Sequence, residues 1–167
     1  ADAVDFAYHF GLVSGVEETK FAPNSPMTRA QLVTVLYRAA GSPEVTVTTN
    51  FEDLDVGAYY YNAVVWGNVM GVVNGTSDTT FSPNAYVTRE QLATILYRYA
   101  QEKQYDVSGR NDLSAFADGA RVSAYAKEAM QWAVDAGLIS GIGDNLVPQN
   151  GANRAQVATM LMRFAEM

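Results

Sequence analysis

The sequence predicts a mainly all-α protein of three pseudo-symmetric helix–loop–helix lobes, and three observations carry that prediction. A helix-opening tetrapeptide recurs as Thr28-Arg29-Ala30-Gln31, Thr88-Arg89-Glu90-Gln91 and Asn153-Arg154-Ala155-Gln156. Ahead of each opener stands a matching pair of glycines: Gly11 and Gly15, Gly71 and Gly75, Gly137 and Gly141. After each opener apolar residues fall at helical spacing, as in Leu92, Ile95, Leu96 and Tyr99, or Val157, Met160, Leu161 and Phe164. Arg29 and Arg89 lie 60 residues apart and Arg89 and Arg154 lie 65 apart, with most of the difference in the linker.

Taken in order, each unit opens with a lead helix, expected over roughly 2–10, 58–70 and 123–136. The glycine after each lead helix supplies the left-handed residue that ends it. Next comes a loop with an aromatic or aliphatic residue two before a proline: Phe21-Ala22-Pro23, Phe81-Ser82-Pro83 and Leu146-Val147-Pro148. Short apolar pieces such as Val72-Val73 are candidates for minor strand pairing. The second helix of each unit starts at Thr28, Thr88 or Asn153. Residues 41–50 and 101–115 read as linkers, polar and rich in turn formers. Units two and three share an opening, Phe51-Glu52-Asp53 and Phe116-Ala117-Asp118, followed by Trp66 and Trp132 in their lead helices. In unit one Phe6 takes the tryptophan position, and the Phe-x-Asp is missing because Ala1 aligns with Tyr61. Two short helices cannot bury both of their apolar stripes alone, whereas three units can, with their second helices around a common axis.

Composition narrows the function. The 167 residues carry a net charge of −7, which argues against nucleic acid and against an anionic membrane surface. No run approaches the roughly 18 apolar residues of a membrane span. No signal peptide is read at the start, where Ala1 opens into helix-like sequence, as in a fragment or a mature form. The absence of cysteine removes disulfides, thiolate chemistry and Cys-based zinc sites. His9 is the sole histidine, so no histidine-based site can recur. Repeated acids number only one per unit, too few for a paired-carboxylate hydrolase. Gly75-Thr76-Ser77-Asp78 lacks the alternating acids and closing glutamate of a calcium loop. No enzyme, metal or cofactor is expected.

The repeated positions each have two readings. Thr28, Thr88 and Asn153 with Gln31, Gln91 and Gln156 form capping boxes. Arg29, Arg89 and Arg154 fall in the first helical turn, where the macrodipole disfavours a cation. Either each pairs with a carboxylate from the adjacent lobe, Asp53 and Asp118 being the candidates, or it joins free backbone N–H groups in an anion site. Trp66 and Trp132 are core residues or sugar platforms. Gly75-Thr76 and Gly141 end helices or let a ligand approach the backbone. Of Tyr59, Tyr60 and Tyr61, at least one is expected to be exposed.

The ordered combination of Phe-x-Asp, a tryptophan helix, Gly-(Leu/Val)-(Ile/Val)-x-Gly, Phe-x-Pro and Thr-Arg-(Ala/Glu)-Gln resembles the S-layer homology (SLH) domain over essentially the whole chain. The resemblance implies one domain over 1–167, made of repeats 1–41 (truncated), 51–103 and 116–167, with three lobes around a central three-helix bundle. It implies a non-catalytic, extracellular cell-surface anchor in the cell wall or S-layer. Its partner would be secondary cell-wall polysaccharide, held through a terminal N-acetylmannosamine with a pyruvate ketal. Carried over by position, the glycan-binding residues would be Arg29, Arg89, Arg154, Asp53, Asp118, Trp66, Trp132, Gly15, Gly75, Thr76 and Gly141. Many relatives have glutamate where this chain has Gln31, Gln91 and Gln156, and the loss of that charge bears on ligand preference. Unit three departs further at Asn153 and Leu146. The glycan reading expects Arg89→Ala to abolish binding with little change in melting temperature. The alternative is a structural or protein-interaction module, with possible self-association through exposed tyrosines.

Overall fold

The computed structural model describes residues 22–167. The expected first lead helix, with Phe6, His9, Gly11 and Gly15, lies outside the described residues. Within them are five α-helices: α1 (Arg29–Ala39), α2 (Tyr61–Val69), α3 (Arg89–Glu102), α4 (Lys127–Asp135) and α5 (Arg154–Ala165). Three single-turn 3-10 helices precede α4, and backbone pairing outside helices is confined to isolated bridges. The fold is therefore mainly α, as the repeat predicts.

The second helices of the three units, α1, α3 and α5, each begin with a complete capping box. Thr28, Thr88 and Asn153 accept from the N–H three residues on, and Gln31, Gln91 and Gln156 return the bond through Oε1. The lead helices α2 and α4 end in matching Schellman turns. Gly71 (φ 70°) and Gly137 (φ 69°) take the left-handed conformation. Val72 N–H and Leu138 N–H then reach back to the Gly67 and Ala133 carbonyls. Val72 and Val73 thus complete a helix stop, with both N–H groups on Gly67, and enter no strand pairing among the described residues.

Packing does not follow the sequence unit. Each described lead helix lies on the second helix of the preceding unit, α2 on α1 and α4 on α3. Trp66 meets Tyr37 at 5.6 Å between ring centroids, and Trp132 meets Tyr97 at 5.4 Å. Gly67 is part of this fit, since a Cβ there would lie 3.2 Å from Val33 Cγ1. Tyr99 of α3 stacks on Phe164 of α5, and one buried cluster draws on all three units.

The units close on each other as a ring. Met27 N–H donates to the Ala152 carbonyl, Ala152 N–H to Val87, and Val87 N–H back to Met27. All three are buried, each one residue before a helix cap. Around this ring every helix start grips the proline loop of the next unit. Arg29 and Ala30 N–H donate to the Ala85 and Pro83 carbonyls, Arg89 and Glu90 to Asn150 and Pro148, Arg154 and Ala155 to Ser25 and Pro23.

Each proline loop pivots on a strained residue. Ala22, Ser82 and Val147, at equivalent positions, have φ of 49°, 60° and 44°, a region that costs non-glycine residues about 1–3 kcal/mol. In units two and three an aspartate offsets that cost. Asp53 accepts from Phe81 N–H (2.8 Å) and Ser82 N–H (2.7 Å). Asp118 accepts from Leu146 N–H (2.7 Å) and Val147 N–H (2.8 Å). The left-handed turn points two successive N–H groups at one carboxylate.

Candidate functional site

The gripped loops place Arg29 and Arg89 where one unit meets the next, at the first and second grooves. Arg29 Nε donates to the Phe81 carbonyl (3.0 Å) and Nη2 to the Asn74 carbonyl (2.8 Å). Its guanidinium lies over the Phe81 ring, 4.7 Å from the centroid. Arg89 repeats the pattern one unit later, with Nε on Leu146 O and Nη2 on Ser140 O, both at 2.8 Å. Arg29, Arg89 and Arg154 are each 4–5% exposed, and burial lowers the pKa of all three.

This geometry revises both sequence readings of the arginine. Asp53 and Asp118 are not its ion-pair partners. Phe81 stands between Arg29 and Asp53, its carbonyl on the cation and its N–H on the acid. Leu146 is placed the same way between Arg89 and Asp118. Nor are helix-start N–H groups left for an anion. The first two donate to the next loop and the third to the cap side chain. What remains available to a ligand is the guanidinium itself, at the floor of a groove.

The first groove, between units one and two, is a cleft of about 420 Å³. Arg29, Asn74, Gly75, Thr76, Gln91 and Arg98 line it, with Thr94, Ile95 and Tyr125 completing the wall. Tyr125 comes from unit three, so all three units contribute. Its phenol is held by Glu90 (3.4 Å), and burial first and Glu90 second push its pKa up to about 12 against the pull of Arg29 and Arg98. Glu90, where the other units have Ala30 and Ala155, is 4% exposed. It also accepts from Ser123 N–H (3.0 Å), Ser123 Oγ (2.8 Å) and Gln149 Nε2 (3.2 Å). It thereby fixes the start of the unit-three lead segment beside the groove.

Other expected residues lie elsewhere. Trp132 is 1% exposed and Trp66 8%. Neither lines the groove, and Trp66 instead borders a cleft under the 41–50 linker. Gly75 and Gly141 are required by their own loops. A Cβ at Gly75 would stand 2.3 Å from the Ser77 carbonyl and 2.6 Å from the Phe51 ring, and one at Gly141 2.8 Å from the Phe116 ring. Gly15 lies outside the described residues. Tyr59, 63% exposed, meets the expectation of an exposed tyrosine.

Sequence reasoning passed over Arg98, Glu90 and Tyr125. Arg98 was within reach, because Arg38, Arg98 and Arg163 recur nine residues after the helix-opening arginine of each unit. Tyr125 was within reach too, because Tyr59 and Tyr125 each stand seven residues before the tryptophan of their unit. Glu90 carries no repeat signal, and only the packing of unit three on unit two joins it to the groove.

Comparison with known proteins matches the S-layer homology domain three times, at residues 1–33, 51–93 and 115–158. The chain is similar to the surface-layer 125 kDa protein of Lysinibacillus sphaericus, 31% identical over 99% of this chain and 14% of that protein. It is 26% identical to an amylopullulanase of Thermoanaerobacterium thermosulfurigenes, over 99% of this chain and 9% of that protein. It is 23% identical to a cellulosome-anchoring protein of Acetivibrio thermocellus, over 95% of this chain and 36% of that protein. The chain spans only a minor part of each of these relatives.

Proposed function

The chain belongs to the S-layer homology domain family, and from that premise we propose that its 167 residues form one non-catalytic domain that binds secondary cell-wall polysaccharide. As a member of that family it is a cell-surface anchoring module. The finer reading is that the inter-unit grooves take a pyruvylated N-acetylmannosamine end group, whose ketal carboxylate meets the groove arginines. One observation carries it: Arg29 and Arg98 converge with Thr76, Gln91 and Tyr125 on a single open cleft in an otherwise acidic protein. Gln91 matters here, since a glutamate would set a second negative charge beside the ligand's, whereas the amide closes the cap and stays neutral. Past the Gly75 loop a polar cleft lined by Asn50, Asn68 and Asp78 offers room for further sugars.

In this reading Arg29, Arg89 and Arg154 each serve one groove between units. Asp53 and Asp118 act by shaping the loops, and the tryptophans act through the core. The test is calorimetric titration of pyruvylated N-acetylmannosamine into the parent, Arg98→Ala and Tyr125→Ala. Saturable heat from the parent, weakened in both variants, is expected. A folded parent that gives no heat would refute the glycan reading.

A protein-interaction role is the second reading. Tyr59 and Tyr86, 63% and 60% exposed, support it. Light scattering that shows a concentration-dependent dimer, lost in Tyr59→Ser with Tyr86→Ser, would favour it over glycan binding.

A further inference from the structure

Asn74 holds two cations at once. Its backbone carbonyl accepts from Arg29 Nη2 at 2.8 Å. With its amide turned to satisfy both neighbours, Nδ2 donates to the Val73 carbonyl (3.2 Å) and Oδ1 accepts from Arg98 Nη2 (3.3 Å). One residue thus tethers a guanidinium from unit one and another from unit two. Their tethered nitrogens stand within about 10 Å of each other, two hydrogen bonds plus the span of one asparagine. Both arginines line the same cleft.

The nearby acids leave those charges in place. Asp53 is committed to the Phe81 and Ser82 N–H groups, and Glu90 to Ser123, Gln149 and Tyr125. The unit-three counterpart of Asn74 is Ser140, whose side chain is too short for the same reach. There the counterpart of Arg98, Arg163, donates instead to the Gly137 (3.0 Å) and Leu138 (3.4 Å) carbonyls at the end of α4. Of these two described grooves, the one with the asparagine brings in the second cation.

We infer that Asn74 makes the first groove a two-cation site, which selects glycan ends bearing two anionic groups over ends bearing one. This rests on the glycan reading and names the ligand class of that same site. A pyruvate ketal supplies one carboxylate. The second anion is a carboxylate or phosphate on the neighbouring sugar, within reach of the other guanidinium. Arginine suits either, because its fork matches both.

The experiment titrates three disaccharide probes. Pyruvylated N-acetylmannosamine is joined to glucose (one charge), to glucuronic acid (two carboxylates) or to glucose 6-phosphate (carboxylate and phosphate). Both probes with two anionic groups are expected to bind at least about tenfold more tightly than the probe with one, the worth of one more charged hydrogen bond. The tighter of the two identifies the second anion. In Asn74→Ser, which installs the residue unit three uses, and in Arg98→Ala, that ratio should fall toward one. Equal affinities for all three probes, or a ratio that survives both substitutions, overturns the inference and leaves the anchoring reading standing. If no probe binds the folded parent, the glycan reading falls and takes this inference with it.

Discussion

In the first groove Arg29 lies against the Phe81 ring and shares Asn74 with Arg98. In the second, Arg89 meets Leu146 and Ser140, and Arg163 turns away to the end of α4. The two grooves agree in every bond that builds a loop onto a helix start. They differ at the side chains that decide what the groove presents. The repeat therefore keeps the scaffold constant and places specificity in residues that do not repeat. The repeated arginine is part of that scaffold, since its Nε and Nη2 serve loop carbonyls before they serve any ligand.

The sharpest way to break this comparison is to remove that arginine in each groove. Arg29→Ala and Arg89→Ala each strand two carbonyls, and should each cost about 3 kcal/mol of stability in urea unfolding. Such a loss exceeds what the sequence alone suggests. If one variant is nearly neutral while the other is not, the shared plan is wrong. Next in size is Glu90→Ala, which gives unit two the residue found in units one and three. It leaves Ser123 N–H unpaired and should cost about 2 kcal/mol by the same measurement. It should also weaken glycan binding in the first groove through the loss of Tyr125's support. Unchanged binding would show that Tyr125 needs no holding.

The aspartates come third. Burial raises the Asp118 pKa, but the N–H groups of Leu146, Val147 and Asp118 itself, with the charge of Arg121, outweigh it, and the net shift is downward. A carboxylate with a lowered folded pKa stabilises the fold above its unfolded value, near 3.9 for aspartate. That contribution is lost as pH falls through the folded pKa. Asp118→Asn should therefore be less stable by about 1–2 kcal/mol at pH 7. Its melting temperature should converge with the parent's below about pH 4. Curves that stay parallel down to acid would disprove the assignment. The smallest effect expected is from Val147→Gly, which relieves a left-handed β-branched residue and should stabilise by a few tenths of a kcal/mol. Destabilisation by more than about 1 kcal/mol would mean the side chain's packing outweighs the backbone relief.

Most of the scaffold was legible in the sequence because it repeats. Three capping boxes, two Schellman glycines and the helix spans came from short-range chemistry that a linear pattern records. The arginine's partners did not, since Asn74, Phe81, Ser140 and Leu146 lie 45 to 57 residues away. The pairing with Asp53 and Asp118 was a reasonable expectation from charge alone. It fails because the left-handed turn at Ser82 and Val147 gives each aspartate two N–H donors first. The tryptophans carried two readings in the sequence, core residue or sugar platform, because a linear pattern does not record which helix the lead helix lies on. Lying on the preceding unit's second helix, they face Tyr37 and Tyr97.

The ring of Met27, Val87 and Ala152 has a bearing on time. Ser25 is bonded to Arg154, 129 residues further along. A ribosome adding about 5–20 residues each second needs on the order of ten seconds to span that gap. During that interval the first proline loop lacks the N–H groups that close it, and no sub-assembly of one or two units can supply them. A chain destined for the cell surface must cross a membrane before it works. A fold whose first and third units complete each other delays its own closure until the third unit has been made.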